Sequence, residues 1–294
     1  MNHNRARRAQ TGRRRRVARA PIYDRMRTIC SGVVFRDVID LHCHVLPGID
    51  DGPPSIDGSL ALARAASAAG IETLVATPHV SARYRNDATT IARLVEDLNA
   101  QLAAESIALE VRAGAELAAT QIGELEPAEL DRLGLGGGSW LLLEPPFAAV
   151  VTGLEEIAAE LQDRGHRLLL AHPERCEAFQ RDPRTLHALV RGGVCTSITA
   201  SSLVGRFGTK PRRFALGMLK QGLVHNVTSD AHDDVRRPPG MAAEIADAGF
   251  APLTEWLTHD VPAAILADRE LPPRPARAGG GFAARAGRLW RKRD

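Results

Sequence analysis

Apolar runs of strand character alternate with segments of helical period through most of the chain. The runs are "VVFRDVIDLH", "IETLVATPH", "LEVRAGAE", "WLLLEPP", "HRLLLAHPE", "GVCTSITA" and "GLVHNVTSDAH". Between them lie "SIDGSLALARAASAAG", "ATTIARLVEDLNAQLAAES", "TGLEEIAAELQDRG", "DPRTLHALVRGG" and "TKPRRFALGMLKQG", several ending on Gly as a helix C-cap does. Repeated strand–helix units with nearly continuous apolar strands predict a parallel sheet covered by helices. Seven such strands predict an α/β protein closed into a distorted βα barrel rather than a small open sheet. Residues 239–268 read as closing helices, and "LPPRPARAGGG" as an exit into a disordered tail.

Charge divides the chain into three parts. Residues 1–20 carry eight Arg and no acid, and residues 271–294 carry a net +6, so the formal total of +3 leaves −11 in between. The expected organisation is a basic, disordered extension over 1–36, a globular body over 37–268 and a basic, mostly disordered tail over 269–294. Met26 offers an alternative start within the extension. The tails suit contact with an anionic membrane surface or nucleic acid, although 35 Arg against 3 Lys also marks an Arg-rich composition in general. No apolar run reaches the roughly 18 residues that span a bilayer, and no apolar secretory core follows the N-terminus. The expected location is cytoplasmic, with the tails able to draw the protein to the inner membrane face. Cys30, Cys43, Cys176 and Cys195 are widely spaced with no CxxC pair, which predicts reduced thiols rather than disulfides or a thiolate zinc site.

The polar residues that interrupt the apolar runs fall at the predicted strand ends. Strand one ends in His42 and His44, strand two in His79, strand three in Glu116, strand four in Glu144, strand five in His172, and strand seven in Asp230 and His232. In a βα barrel these ends form one face, where active sites sit. His42 and His44, two residues apart on a strand, point to the same side. A mixed imidazole and carboxylate set suits Mn, Fe or Zn, and there are too many donors for one ion. Two or three metals bridged by a carboxylate would use them all. His166, His187, His225 and His259 fall outside this pattern and read as structural or surface histidines.

Taken together, "DLHCHVLPGIDDGPPSIDGSLALARAASAAGIETLVATPH", "GAE", "LLLEPP", "AHPER", "SLVGRFG" and "SDAHDDVRRPP" resemble the bacterial CpsB/YwqE-type tyrosine-protein phosphatases of the PHP (polymerase and histidinol phosphatase) superfamily. The resemblance covers residues 37–268. It implies a distorted (β/α)7, TIM-like barrel with a trinuclear site, usually active with manganese. It also implies phosphotyrosine hydrolysis by a metal-bridging hydroxide, acting on the tyrosine autokinases that control capsule and exopolysaccharide assembly. Carried over by position, His42, His44, Glu116 and Asp230 would hold one ion. His79, Glu144 and His172 would hold a second, with Glu116 bridging, and Asp51 and His232 would help hold a third. Asp50 becomes a supporting or turn residue. Arg175 and Arg237 match the family's phosphate-clamping arginines, with Arg236 the adjacent competitor.

Two other readings use the same residues differently. A PHP phosphoesterase acting on a small monoester such as histidinol phosphate would need the same metals, and "IDDG", "SLVGRFG" and "RRPP" favour the protein phosphatase. A non-catalytic protein that binds through its tails would lack ligands, yet every expected ligand position is filled. "CSGVVFR", Cys30 to Arg36, matches the C-x5-R spacing of cysteine-dependent phosphatases. It lacks the Gly-rich cradle opening a helix that would lower the thiol pKa.

Overall fold

The structure is a computed structural model and describes residues 37–276. The expected disorder of 1–36 and of the chain beyond 276, the Met26 start and the Cys30–Arg36 motif lie outside the described residues. The strands are β1 (Val38–Cys43), β2 (Ile71–Ala76), β3 (His79–Val80), β4 (Glu110–Ala113), β5 (Glu116–Ala118), β6 (Trp140–Glu144), β7 (Arg167–Ala171), β8 (Cys195–Thr199) and β9 (Asn226–Thr228). They form two sheets of order β1-β2-β4 and β3-β5-β6-β7-β8-β9, and every pairing between named strands is parallel.

Two of the seven expected strands are therefore broken. "IETLVATPH" divides at Thr77–Pro78, where Pro has no N–H to give a ladder. "LEVRAGAE" divides at Gly114–Ala115. A Cβ on Gly114 would lie 2.8 Å from Val75 Cγ1, so this crossing of the two chain segments needs a glycine. Beyond β1 and β9 the chains meet again: Asp230 N–H donates to His42 O (3.0 Å), His44 N–H to Ala231 O (2.9 Å), and Cys43 and Ala231 form a parallel bridge.

Helices Ile56–Ala68, Ala88–Ala104, Leu154–Asp163, Arg184–Arg191 and Thr209–Gln221 fall where the helical period placed them. Ser55 and Asp87 cap the first two by accepting from Gly58 N–H and Thr90 N–H. The six residues of β1 are all buried, and Leu41, Leu74, Leu117, Leu142 and Leu169 carry the core across both sheets. Residues 269–276 pack back onto this body: Trp256 Nε1 donates to Pro272 O (3.1 Å) and Arg274 to Leu219 O (2.8 Å). Among the described residues no helix is long and apolar enough to cross a membrane.

Candidate metal centre

Strand periodicity delivers the first donors. Asp40, His42 and His44 alternate along β1 and its exit, so they share a side; His42 Nε2 and His44 Nε2 are 3.2 Å apart. His172 follows β7 with φ +30° and Asp230 follows β9 with φ +50°. Left-handed backbone is uncommon and strained for residues other than glycine, and it marks turns that the surrounding packing holds in place. Asp40 supplies part of that hold, accepting from Ser229 N–H (3.1 Å), Ser229 Oγ–H (2.5 Å) and His42 N–H (3.3 Å).

Glu116, at the start of β5, is the hub. Its Oε2 lies 3.2 Å from His42 Nε2, 3.3 Å from His44 Nε2 and 3.0 Å from His79 Nδ1, and its Oε1 lies 2.6 Å from His172 Nε2. Glu144 reaches His79 (3.8 Å) and His172 (3.9 Å). Asp51 Oδ1 lies 3.3 Å from His232 Nε2 and 3.5 Å from His79 Nε2. Four overlapping donor sets result: His44, Asp51, His79 and His232; His42, His44 and Asp230; His42, Glu116 and His172; His79, Glu116 and Glu144. The nine expected ligands are thus all brought together. The grouping differs from the expected one in that His172 falls with His42 and Glu116, while His79 is shared with Asp51 and His232.

The residues fit divalent cations. Glu116 Oε2 is buried among three imidazole nitrogens without a well-aligned hydrogen bond, an expensive arrangement that bound cations would relieve. The donors are nitrogen and oxygen with no thiolate, the set suited to Mn, Fe or Zn. Burial, reinforced by Arg175, pushes His172 down to about 4, so its ring is neutral at working pH, as a metal ligand must be. Burial and the neighbouring Glu116 charge push Glu144 up to about 7. Burial opposes a charge on His44, but Asp50 and Glu116 outweigh it and raise that ring to about 10, so a cation at Nε2 would have to displace a proton there while Nδ1–H stays on Asp50. Asp50 Oδ2 sits 2.7 Å from His44 Nδ1, the place of a carboxylate that orients a candidate metal-ligand imidazole. The same carboxylate accepts from Gly52 N–H (2.9 Å) and His79 N–H (3.2 Å), tying the "IDDG" turn to the next strand.

Two cations border these donors. Arg175 Nη1 lies 2.5 Å and Arg237 Nη2 2.7 Å from Asp230 Oδ2, both half-buried. Arg236 is exposed, and its backbone N–H turns to Asp233. A family model for capsular polysaccharide synthesis proteins, CpsB/CapC, matches residues 38–248. The chain belongs to this family.

Its relatives include tyrosine-protein phosphatase YwqE of Bacillus subtilis, 36% identical over 67% of this chain and 78% of that one. The putative tyrosine-protein phosphatase CapC of Staphylococcus aureus is 33% identical over 68% and 79% of the two chains. A crystal structure from the pair YwqE of B. subtilis and CpsB of Streptococcus pneumoniae, described as unique metal-dependent tyrosine phosphatases, superposes with a TM-score of 0.73 at 32% identity, covering 81% of this chain and 99% of that chain.

Sequence reasoning passed over Asp40 and Ser229, although Asp40 shares the period-two face of His42 and His44. It also passed over Phe147 and Tyr84, which lie outside every quoted motif, and gave no role to Phe207 within "SLVGRFG"; only their positions in space single them out. Cys43, Cys176 and Cys195 are buried free thiols, and burial pushes the Cys195 thiol up to about 11. None of these three is set up as a nucleophile.

Proposed function

We propose that this protein is a metal-dependent protein-tyrosine phosphatase that acts on a phosphotyrosine protein in capsule or exopolysaccharide synthesis, with a tyrosine autokinase as its substrate. The observation that carries this reading is the convergence of nine His, Asp and Glu donors, the buried carboxylate of Glu116 among them as their hub, beside two arginines. In a chain of this family, that is the equipment for phosphomonoester hydrolysis. The two sheets, read through their breaks and joined where β1 meets β9, make one distorted (β/α)7 barrel whose strand ends face this site.

His42, His44, Asp51, His79, Glu116, Glu144, His172, Asp230 and His232 would hold two or three ions, with manganese the first choice and iron or zinc compatible with the same donors. When bound, the ions supply Lewis acidity at the phosphoryl group and acidify water, so that a nucleophile is available near neutral pH. Arg175 and Arg237 grip the phosphoryl oxygens. A guanidinium offers two parallel N–H donors and stays charged at any working pH. Asp230 keeps both arginines turned inward until substrate arrives. Asp50 holds the His44 ring in place, and Asp40 holds the β9 turn that carries Asp230. The departing tyrosinate has a conjugate acid of pKa about 10, so little protonation is needed and no dedicated acid is assigned.

The test is phosphate release from a phosphotyrosyl peptide and from histidinol phosphate, with manganese and with a chelator. Peptide turnover that needs manganese and His42 but not Cys30 is the expected result. A preference for histidinol phosphate moves the protein to small-molecule hydrolysis, and absence of metal-dependent turnover of either ends the phosphatase reading.

A further inference from the structure

Trp, Tyr and Phe together make up only 4% of this chain, yet three aromatic rings meet the donors or the two arginines beside them. Phe147, in the loop after β6, stacks on His172 with centroids 5.3 Å apart and planes 14° apart. Its ring also faces Arg175, whose Cζ lies 5.1 Å from the centroid. Phe207, from the loop after β8, meets the same guanidinium at 4.5 Å and Arg237 at 5.8 Å. Two loops far apart in sequence therefore place a phenyl ring against one arginine. Tyr84 stacks on a further donor, His79, at 5.6 Å and 10°.

Core packing does not account for Phe147, which is 54% exposed. An exposed phenyl ring forfeits most of the burial that normally stabilises it, so its place against a ligand histidine and a phosphate-site arginine needs another reason. A monoester whose phosphoryl group is held by Arg175 has its ester group set among the rings that flank Arg175. Aromatic pairs with centroids 4.5–7 Å apart gain beyond simple area burial, and an alkyl group gains nothing comparable.

We propose that Phe147 and Phe207 are specificity-determining residues that receive the ring of an aryl phosphate, favouring phosphotyrosine over alkyl phosphomonoesters such as phosphoserine. This rests on the phosphatase reading above and adds to it the residues that would select an aryl ester. A merely structural alternative is available: the two rings could orient Arg175 by cation–π contact alone. The alternatives differ in what they do to selectivity. Loss of orientation weakens aryl and alkyl ligands together, whereas loss of ring recognition weakens the aryl ligand alone.

The experiment is calorimetric titration of the full-length, manganese-loaded protein with phenylphosphonate and with methylphosphonate, which share a head group and are not hydrolysed. The parent protein, Phe147→Leu and Phe207→Leu are compared. Phe147→Leu removes an exposed ring and leaves the core intact, so folding is not at issue for that variant. The expected result is a parent preference for phenylphosphonate that falls about five- to tenfold in at least Phe147→Leu. A parent without that preference, a preference unchanged in both variants, or parallel weakening of both ligands overturns the assignment and leaves the phosphatase reading intact. Failure of the parent to bind either phosphonate overturns both.

Discussion

Replacing Asp40 separates the cost of a buried charge from the value of the hydrogen bonds it accepts. Asp40 is fully buried, and burial raises its carboxyl from 3.8 to about 6 against the opposing hydrogen bonds from Ser229 and His42. The folded chain holds this proton up to about pH 6 and the unfolded chain releases it near 3.8. The contribution is therefore fully present below 3.8 and is lost as pH rises through 6. At 1.36 kcal/mol per pH unit, an ionised Asp40 costs about 3 kcal/mol of stability above pH 7. Asp40→Asn removes that charge. Its amide oxygen can still accept from Ser229 N–H and His42 N–H, and its NH2 can donate to Ser229 Oγ. Asp40→Ala instead strands Ser229 N–H in a dry seam and opens a small cavity, at a cost of about 2–4 kcal/mol. Urea unfolding of chelator-treated protein from pH 5 to pH 8 should show Asp40→Asn gaining about 1.5 kcal/mol on the parent across that range. A difference that stays flat with pH, or Asp40→Asn less stable than Asp40→Ala, would refute the reasoning.

Glu116→Gln should abolish metal-dependent turnover and lower bound metal per chain, measured by elemental analysis, because the amide cannot bridge cations as a carboxylate does. Retention of full metal content would remove Glu116 from the hub. Manganese should raise the unfolding temperature, adding about 2.7 kcal/mol at one hundred times its dissociation constant, with the gain absent in His42→Ala. His225 Nδ1 accepts from Thr196 N–H (3.1 Å), which needs the neutral ring, and burial with Arg274 nearby lowers its pKa from 6.5 to about 4. Stability should thus be full above pH 6.5 and fall as pH drops toward 4. The advantage of the parent over His225→Gln should shrink by about 2 kcal/mol between pH 7.5 and pH 5 in urea titrations.

The local pattern was enough for much of this protein. Alternating apolar and helical periods located the strands and most of the helices, since burial on both faces leaves a near-continuous apolar run that polar loops interrupt. His42 and His44 were legible because strand geometry puts residues two apart on one side. The other donors except Asp51 were legible as the polar residues closing apolar runs, although His79 and Glu116 in fact open the short strands that follow the two breaks, and Asp51 was named only by the family resemblance. What lay beyond the sequence was decided by distance in space. The break at Gly114 depends on how closely neighbouring segments pass, whereas Pro78 already stood in the sequence as a residue that cannot donate to a ladder. The hub role of Glu116, and the sharing of His79 between donor sets, depend on where rings from separate strands meet. Asp40 and Ser229, which are 189 residues apart, become partners only when β9 is laid against β1. Phe147 and Phe207 likewise acquire a common neighbour, Arg175, only once two loops fold over the same face. Periodicity is a property of consecutive residues and survives in the string of letters, whereas a contact across the fold depends on the packing of everything between its two ends.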